Sequence, residues 1–91
     1  MLVSLENAKL YLRVDSKDED DHITKLIILA EKMVKDVGRI DFSICKENAE
    51  LIESAILYAV GYMYEHRDEA DYKKLTETLK YLLFQIRREK F

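Results

Sequence analysis

Residues 51–64 carry apolar side chains around nearly the whole circumference of a helix, which constrains the fold more than any other stretch of the chain. Glu53 and Ser54 are the strongly polar exceptions within this run. A helix that is apolar on several sides is normally buried on several sides. A membrane span would need roughly 20 apolar residues, which is more than this run provides. The stretch therefore predicts a central helix, over about residues 47–66, inside a small bundle.

Three further helices are predicted around the central one. Ser4 is a suitable N-cap for a first helix of about two turns, because its hydroxyl can accept a hydrogen bond from a free backbone N–H. A second helix follows, with acidic residues at its start and Gly38 in the position of a left-handed C-cap. Its apolar residues recur at i, i+3, i+4 and i+7, and they are Ile23, Leu26, Ile27, Ala30, Met33, Val34 and Val37.

The last helix is predicted over residues 71–89. Its apolar stripe consists of Tyr72, Leu75, Leu79, Leu82, Leu83 and Ile86. Between the second and the central helix, Ile40, Phe42 and Ile44 are expected to lie against the core. The whole pattern predicts an all-α fold, a small bundle of about four helices around a central apolar helix, in a single domain spanning residues 1–91.

Composition places the chain among cytoplasmic globular proteins. It has 91 residues, of which 48% are hydrophobic and 36% charged, so it is too apolar for a disordered chain. No basic start is followed by an apolar segment, so no signal peptide is expected. The single cysteine, Cys45, excludes an internal disulfide and is typical of a reducing compartment.

Charge is distributed unevenly along the chain. The net charge is −3, but residues 71–91 contain six basic and three acidic side chains, so this segment is +3 and the rest is −6. One interpretation is that cations gather at the C-terminal end of the last helix because its dipole favours them. The other is that the basic segment contacts a partner or DNA.

No motif supports catalysis or cofactor binding. The acidic loop of residues 15–21 lacks the glycine and the alternating oxygen ligands of a calcium loop, so we interpret it as a turn that caps and charges the second helix. His22, His66 and Cys45 have no neighbours at the spacing of zinc ligands. With only two glycines, there is no phosphate-binding loop. The sequence therefore predicts no enzyme activity, no metal and no cofactor.

Tyrosines are frequent and crowd the central helix. Tyr58 and Tyr62, together with Leu57, add apolar surface to a helix that already supplies a core stripe. Gly61 lies among them, and a glycine inside a helix costs about 1 kcal/mol against alanine and often marks a close approach. The pattern is compatible with core packing alone or with a contact between subunits.

Several short motifs resemble one known family. Residues 5–15 read LENAKLYLRVD, residues 20–23 read DDHI and residues 30–31 read AE. The central helix ends in YEHRD at residues 64–68, and residues 82–87 read LLFQIR. In this order, over essentially the whole chain, the motifs resemble the tailed-phage head–tail connector family, also called adaptor or DNA-packaging proteins.

The resemblance implies a structural role in the virion, with assembly in the bacterial cytoplasm. It implies a homo-oligomeric ring beneath the portal protein, which extends the DNA channel without sequence-specific DNA binding, docks tail-completion proteins and contacts no membrane. The candidate subunit or partner contacts are Tyr11, Arg13, Asp15, Leu57, Tyr58, Gly61, Tyr62 and Arg67. The candidates for a portal-facing or channel-facing surface are Lys80, Arg87, Arg88 and Lys90. The alternative, from the basic last helix, is a small helical DNA-binding or regulatory module.

Overall fold

The computed structural model of the protein describes residues 3–38, 49–66 and 71–84. These residues form four helices and no strand, so the predicted all-α fold is confirmed. The helices are α1 (Leu5–Leu12), α2 (Asp20–Gly38), α3 (Ala49–Glu65) and α4 (Tyr72–Leu82). The predicted start of the central helix, residues 47 and 48, and the predicted core residues Ile40, Phe42 and Ile44 lie outside the described residues.

Helix α3 packs against each of the other three helices, which explains why its sequence is apolar almost all round. Within the described residues, α1 and α4 do not pack against each other, so they flank the pair formed by α2 and α3. The core is apolar throughout, and its buried side chains on α3 are Ile52, Ala55, Ile56, Ala59, Val60 and Met63. Three helical neighbours therefore account for most of the apolar surface of the central helix.

Helix α1 is closed at both ends by specific caps. At its start, the Ser4 hydroxyl accepts a hydrogen bond of 3.1 Å from the backbone N–H of Asn7, as predicted. At its end, Arg13 has a left-handed backbone with φ 59°. Its N–H donates to the Leu10 carbonyl at 3.2 Å, and the N–H of Val14 donates to the Lys9 carbonyl at 3.0 Å. These two bonds form a Schellman motif.

Replacing Arg13 with glycine should stabilise the fold. An L-residue is strained in the left-handed region, whereas glycine is not, and the entropic cost of glycine offsets part of this gain. We expect Arg13→Gly to raise the free energy of unfolding by about 0.5–1 kcal/mol, measured by urea denaturation. Arg13→Ala is the control, because it removes the same charge but keeps Cβ; an equal gain in both variants would contradict the explanation.

The predicted left-handed cap at Gly38 is wrong. Gly38 is the last residue of α2, it has no positive φ and it is buried. It follows Ala30 and Val34 on the buried side of the helix, so it lies on the face that packs against the core. Gly38 therefore ends α2 without a left-handed turn.

Helix α4 begins one residue later than predicted, because Asp71 is its N-cap and accepts a 3.0 Å hydrogen bond from the N–H of Lys74. The helix runs to Leu82, and the part of the prediction beyond residue 84 lies outside the described residues. The predicted stripe is buried at Leu75, Leu79 and Leu83. Tyr72 departs from it and is 51% exposed.

Candidate functional site

The closest approach between α1 and α3 lies at Gly61, where the ring of Tyr11 covers the glycine. A Cβ atom at this position would come within 2.9 Å of Tyr11 Cε1, which is closer than carbon atoms pack. Gly61 is buried as a result. The sequence signal of a close approach is therefore explained within one chain, by an aromatic side chain crossing the helix where no side chain stands in its way.

One narrow stripe of α3 carries exposed side chains on either side of Gly61. Ser54, Tyr58, Gly61 and Glu65 follow one another at i, i+4, i+7 and i+11, and all except Gly61 are exposed. Tyr58 is 38% exposed and Tyr11, above Gly61, is 51% exposed. We call these five residues the Tyr11–Tyr58 face. Three of the predicted contact residues, namely Tyr11, Tyr58 and Gly61, thus lie together, while the predicted Leu57 is half-buried against the core.

Tyr62, another predicted contact residue, connects α3 to α4 within the chain. Its hydroxyl accepts a 3.2 Å hydrogen bond from the backbone N–H of Asp71, the N-cap of α4. The ring of His66 stacks on the ring of Tyr62 with 4.3 Å between centroids, and His66 Nδ1 lies 2.9 Å from the Tyr62 carbonyl oxygen. Tyr62 is half-buried, and its hydroxyl joins α3 to the N-cap residue of α4.

Removing the Tyr62 hydroxyl should weaken the connection between α3 and α4. Tyr62→Phe removes the hydroxyl that accepts from the backbone N–H of Asp71. Because this N–H is exposed, water can replace the hydroxyl as acceptor, which limits the loss. We expect a loss of about 0.5–1 kcal/mol in the free energy of unfolding, measured by thermal or urea denaturation. Tyr81→Phe removes the same atom from a side chain that is 84% exposed, so it should change nothing. Equal effects in the two variants would show that the hydrogen bond does not contribute.

Two of the remaining predicted contact residues, Arg13 and Asp15, follow α1. Arg13 and Asp15 are both exposed at the end of α1, and no ion pair joins them in the described part of the chain. Arg67 lies outside the described residues. Arg13 owes its unusual backbone to the cap of α1, so part of its role is in the fold.

Side chains at the start of α2 contact both α1 and α3, which the sequence did not predict. Lys9 Nζ of α1 lies 2.7 Å from Asp20 Oδ1, an oxygen that is shielded from water, so the ammonium group is its compensating partner. The Tyr64 hydroxyl of α3 donates a short hydrogen bond to Glu19 Oε2. The ring of His22 lies beside Tyr64, with 6.4 Å between centroids. The acidic turn therefore joins three helices, besides supplying negative charge to the start of α2.

The outer face of α4 is basic and partly aromatic. Lys73, Lys74 and Lys80 are exposed there, with Glu77 as the acidic residue among them. Around Lys80 the surface forms a groove, which we call the α4 groove, lined by Glu77, Lys80, Tyr81, Leu82 and Phe84. Of the four predicted channel-facing or portal-facing residues, Lys80 is thus placed on an open surface. The other three, Arg87, Arg88 and Lys90, lie outside the described residues.

Neither a metal cluster nor a membrane helix is found in the parts that the structure describes. No three His, Cys, Asp or Glu side chains there are grouped so that they could hold an ion. No helix there combines the length and the apolar character that a bilayer crossing requires. What the described surface offers is exposed aromatic side chains beside charged ones, on the Tyr11–Tyr58 face and along α4.

These features define a small all-α protein whose distinctive surfaces suit contacts with other macromolecules. The family model described as phage gp6-like head-tail connector protein matches residues 2–88. The chain therefore belongs to this family of phage structural proteins, and the resemblance seen in its motifs is confirmed. Neither the curated proteins nor the solved structures include a match to this chain.

Proposed function

We propose that the protein is the subunit of a homo-oligomeric ring that connects a phage head to its tail. The match of residues 2–88 to the connector family carries this proposal. In this role the ring sits beneath the portal, extends the DNA channel and offers a docking surface to tail-completion proteins. The protein is structural and not catalytic, it is a component of the virion, and its assembly takes place in the bacterial cytoplasm.

The exposed surfaces support assembly. In a ring, each subunit uses two different surfaces, because the contacts are head-to-tail and close by rotation. The Tyr11–Tyr58 face and the outer face of α4 are two separate exposed regions that both contain aromatic side chains. Aromatic residues are enriched in protein interfaces.

The charge of the chain supports a channel that lets DNA pass. Affinity for DNA grows with every phosphate that a protein neutralises, so a strongly basic lining would retain the DNA. The net charge of −3 is unlike that of a general DNA-binding protein. Lys80, Arg87, Arg88 and Lys90 then remain candidates for the portal-facing or channel-facing surface.

Mixing the protein with the portal protein of the same phage tests the proposal. We expect a complex in which light scattering gives several copies of this chain per portal, and in which electron microscopy shows an added layer beneath the portal in side view. The matched control is the portal alone. A protein that stays monomeric and also leaves the portal unbound would contradict the proposal.

A DNA-binding assay tests the alternative function, a DNA-binding module. This alternative is based on the exposed Lys73, Lys74 and Lys80. A DNA-binding module would bind duplex DNA with an affinity that falls steeply with salt. This affinity would be lost when all three lysines are changed to glutamate. We expect no such binding at low salt.

A further inference from the structure

Two surfaces of the chain are opposite in charge and alike in their aromatic content. Helix α3 contains Glu50, Glu53 and Glu65 and no Lys or Arg. Glu50 and Glu65 are exposed about two turns from Tyr58, one toward each end of the helix. Helix α4 has Lys73, Lys74 and Lys80 against the single acid Glu77, all of them exposed. The aromatic residues on the α3 side are Tyr11 and Tyr58, and those on the α4 side are Tyr81 and Phe84.

Within the described residues, the α4 groove exposes apolar surface. Tyr81 is 84% exposed and Phe84 is 59% exposed, whereas Leu79 and Leu83 on the opposite side of the same segment are fully buried. One stripe of this segment contains residues at i, i+4, i+7 and i+11, namely Lys73, Glu77, Lys80 and Phe84. This stripe therefore carries two lysines and an aromatic ring. Side chains of this kind bind best to a surface that is apolar at its centre and acidic at its rim.

We propose that the α4 groove of one subunit receives the Tyr11–Tyr58 face of a second copy of this chain. The second copy is chosen because its charge is complementary to that of the groove. The Tyr11–Tyr58 face supplies aromatic rings, with Glu50 and Glu65 toward the two ends of α3. The two surfaces differ, so the contact is head-to-tail and leaves one groove and one face free on every pair. This contact rests on the proposed ring and specifies which two surfaces meet in it.

Two variants remove one surface each. Tyr58→Ser alters the face, and Tyr81→Ser alters the groove. Because both side chains are exposed, neither change removes a buried core residue. By sedimentation equilibrium up to millimolar concentration, the wild type should self-associate and each variant should associate at least about tenfold more weakly, as expected for a tyrosine near the centre of an interface. Tyr72→Ser is the matched control, since Tyr72 is 51% exposed on the same helix but does not line the groove.

A mixture of the two variants shows whether the contact is head-to-tail. Each variant keeps the surface that the other has lost, so an equimolar mixture should give dimers of one Tyr58→Ser and one Tyr81→Ser chain. These dimers should not grow further. If the same surface served both partners of the contact, the mixture would associate no better than the variants alone, which would overturn the proposal.

The remaining outcomes separate this contact from the proposed function. A wild type that is monomeric at millimolar concentration but binds the portal overturns the contact and leaves the connector role standing. A Tyr81→Ser variant that self-associates like the wild type but no longer binds the portal assigns the groove to the portal and also overturns the contact. A wild type that neither self-associates nor binds the portal overturns both.

Discussion

Replacing Ile56 with alanine should lower the free energy of unfolding by about 2–5 kcal/mol, because it removes a buried branched side chain and leaves a cavity. Ile56 is fully buried on α3, which, like α2, packs against all three other helices, so a cavity there adjoins the centre of the bundle. A protein of this size is typically stable by only about 5–15 kcal/mol. Urea denaturation of the variant should therefore show a large fall in the midpoint.

Ile28 offers a control with the same chemical change. It is 56% exposed on α2, so Ile28→Ala removes the same atoms mostly from solvent. We expect that variant to differ from the wild type by at most about 0.5 kcal/mol. If Ile56→Ala cost no more than Ile28→Ala, the central position of α3 in the core would be contradicted.

Removing the hydroxyl of Tyr64 should cost about 1.5–3 kcal/mol, the range for a hydrogen bond to a charged group. The Tyr64 hydroxyl donates to the Glu19 carboxylate across 45 residues of chain, and the bond is partly shielded from water. Tyr64→Phe keeps the ring in place beside His22 and deletes the donor. The effect should appear in thermal denaturation without loss of helix content.

Two comparisons isolate this hydrogen bond. Tyr58→Phe removes a hydroxyl from an exposed ring on the same helix and should be neutral. In a double-mutant cycle with Glu19→Gln, the two effects should be far from additive, because both changes act on one contact. Additive effects would mean that the two side chains contribute independently.

Periodicity of apolar residues was sufficient to predict the four helices, because burial on a helix face leaves a regular pattern. The residues of the predicted stripes from Ile23 to Val34 and from Leu75 to Leu83 are buried or half-buried against the core. The N-cap at Ser4 was predictable as well, since a hydroxyl one residue before the helix satisfies a free N–H locally. These features depend on neighbours in the sequence.

Contacts between distant residues could not be predicted in the same way. Gly61 did signal a close approach, but the sequence contains nothing to show that Tyr11 of the same chain makes it. Tyr62 was predicted to contact a second subunit, because the sequence does not show that its hydroxyl accepts a hydrogen bond from the backbone of Asp71 on another helix. A left-handed backbone was predicted at Gly38, because glycine is the usual residue in this conformation. The structure has this conformation at Arg13 instead, as part of the cap of α1.

Of the two predicted contact tyrosines on α3, Tyr58 is therefore a better probe of assembly than Tyr62. A charge at Tyr62 would disturb the connection between α3 and α4, so a loss of assembly there would be mixed with a loss of stability. Tyr58 lies one helical turn earlier, is 38% exposed and follows the same stripe of α3 as Gly61. Substitutions at Tyr58 separate the two effects more cleanly.

The most direct measurement is electron microscopy of lysates from the phage that carries this gene, with the gene deleted. A head–tail connector is needed to join the two parts, so the deletion should give heads and free tails that are not attached to each other. Supplying the wild-type protein from a plasmid should restore complete particles. Tailed, infectious particles at the parental titre in the absence of the protein would contradict its assignment as the connector.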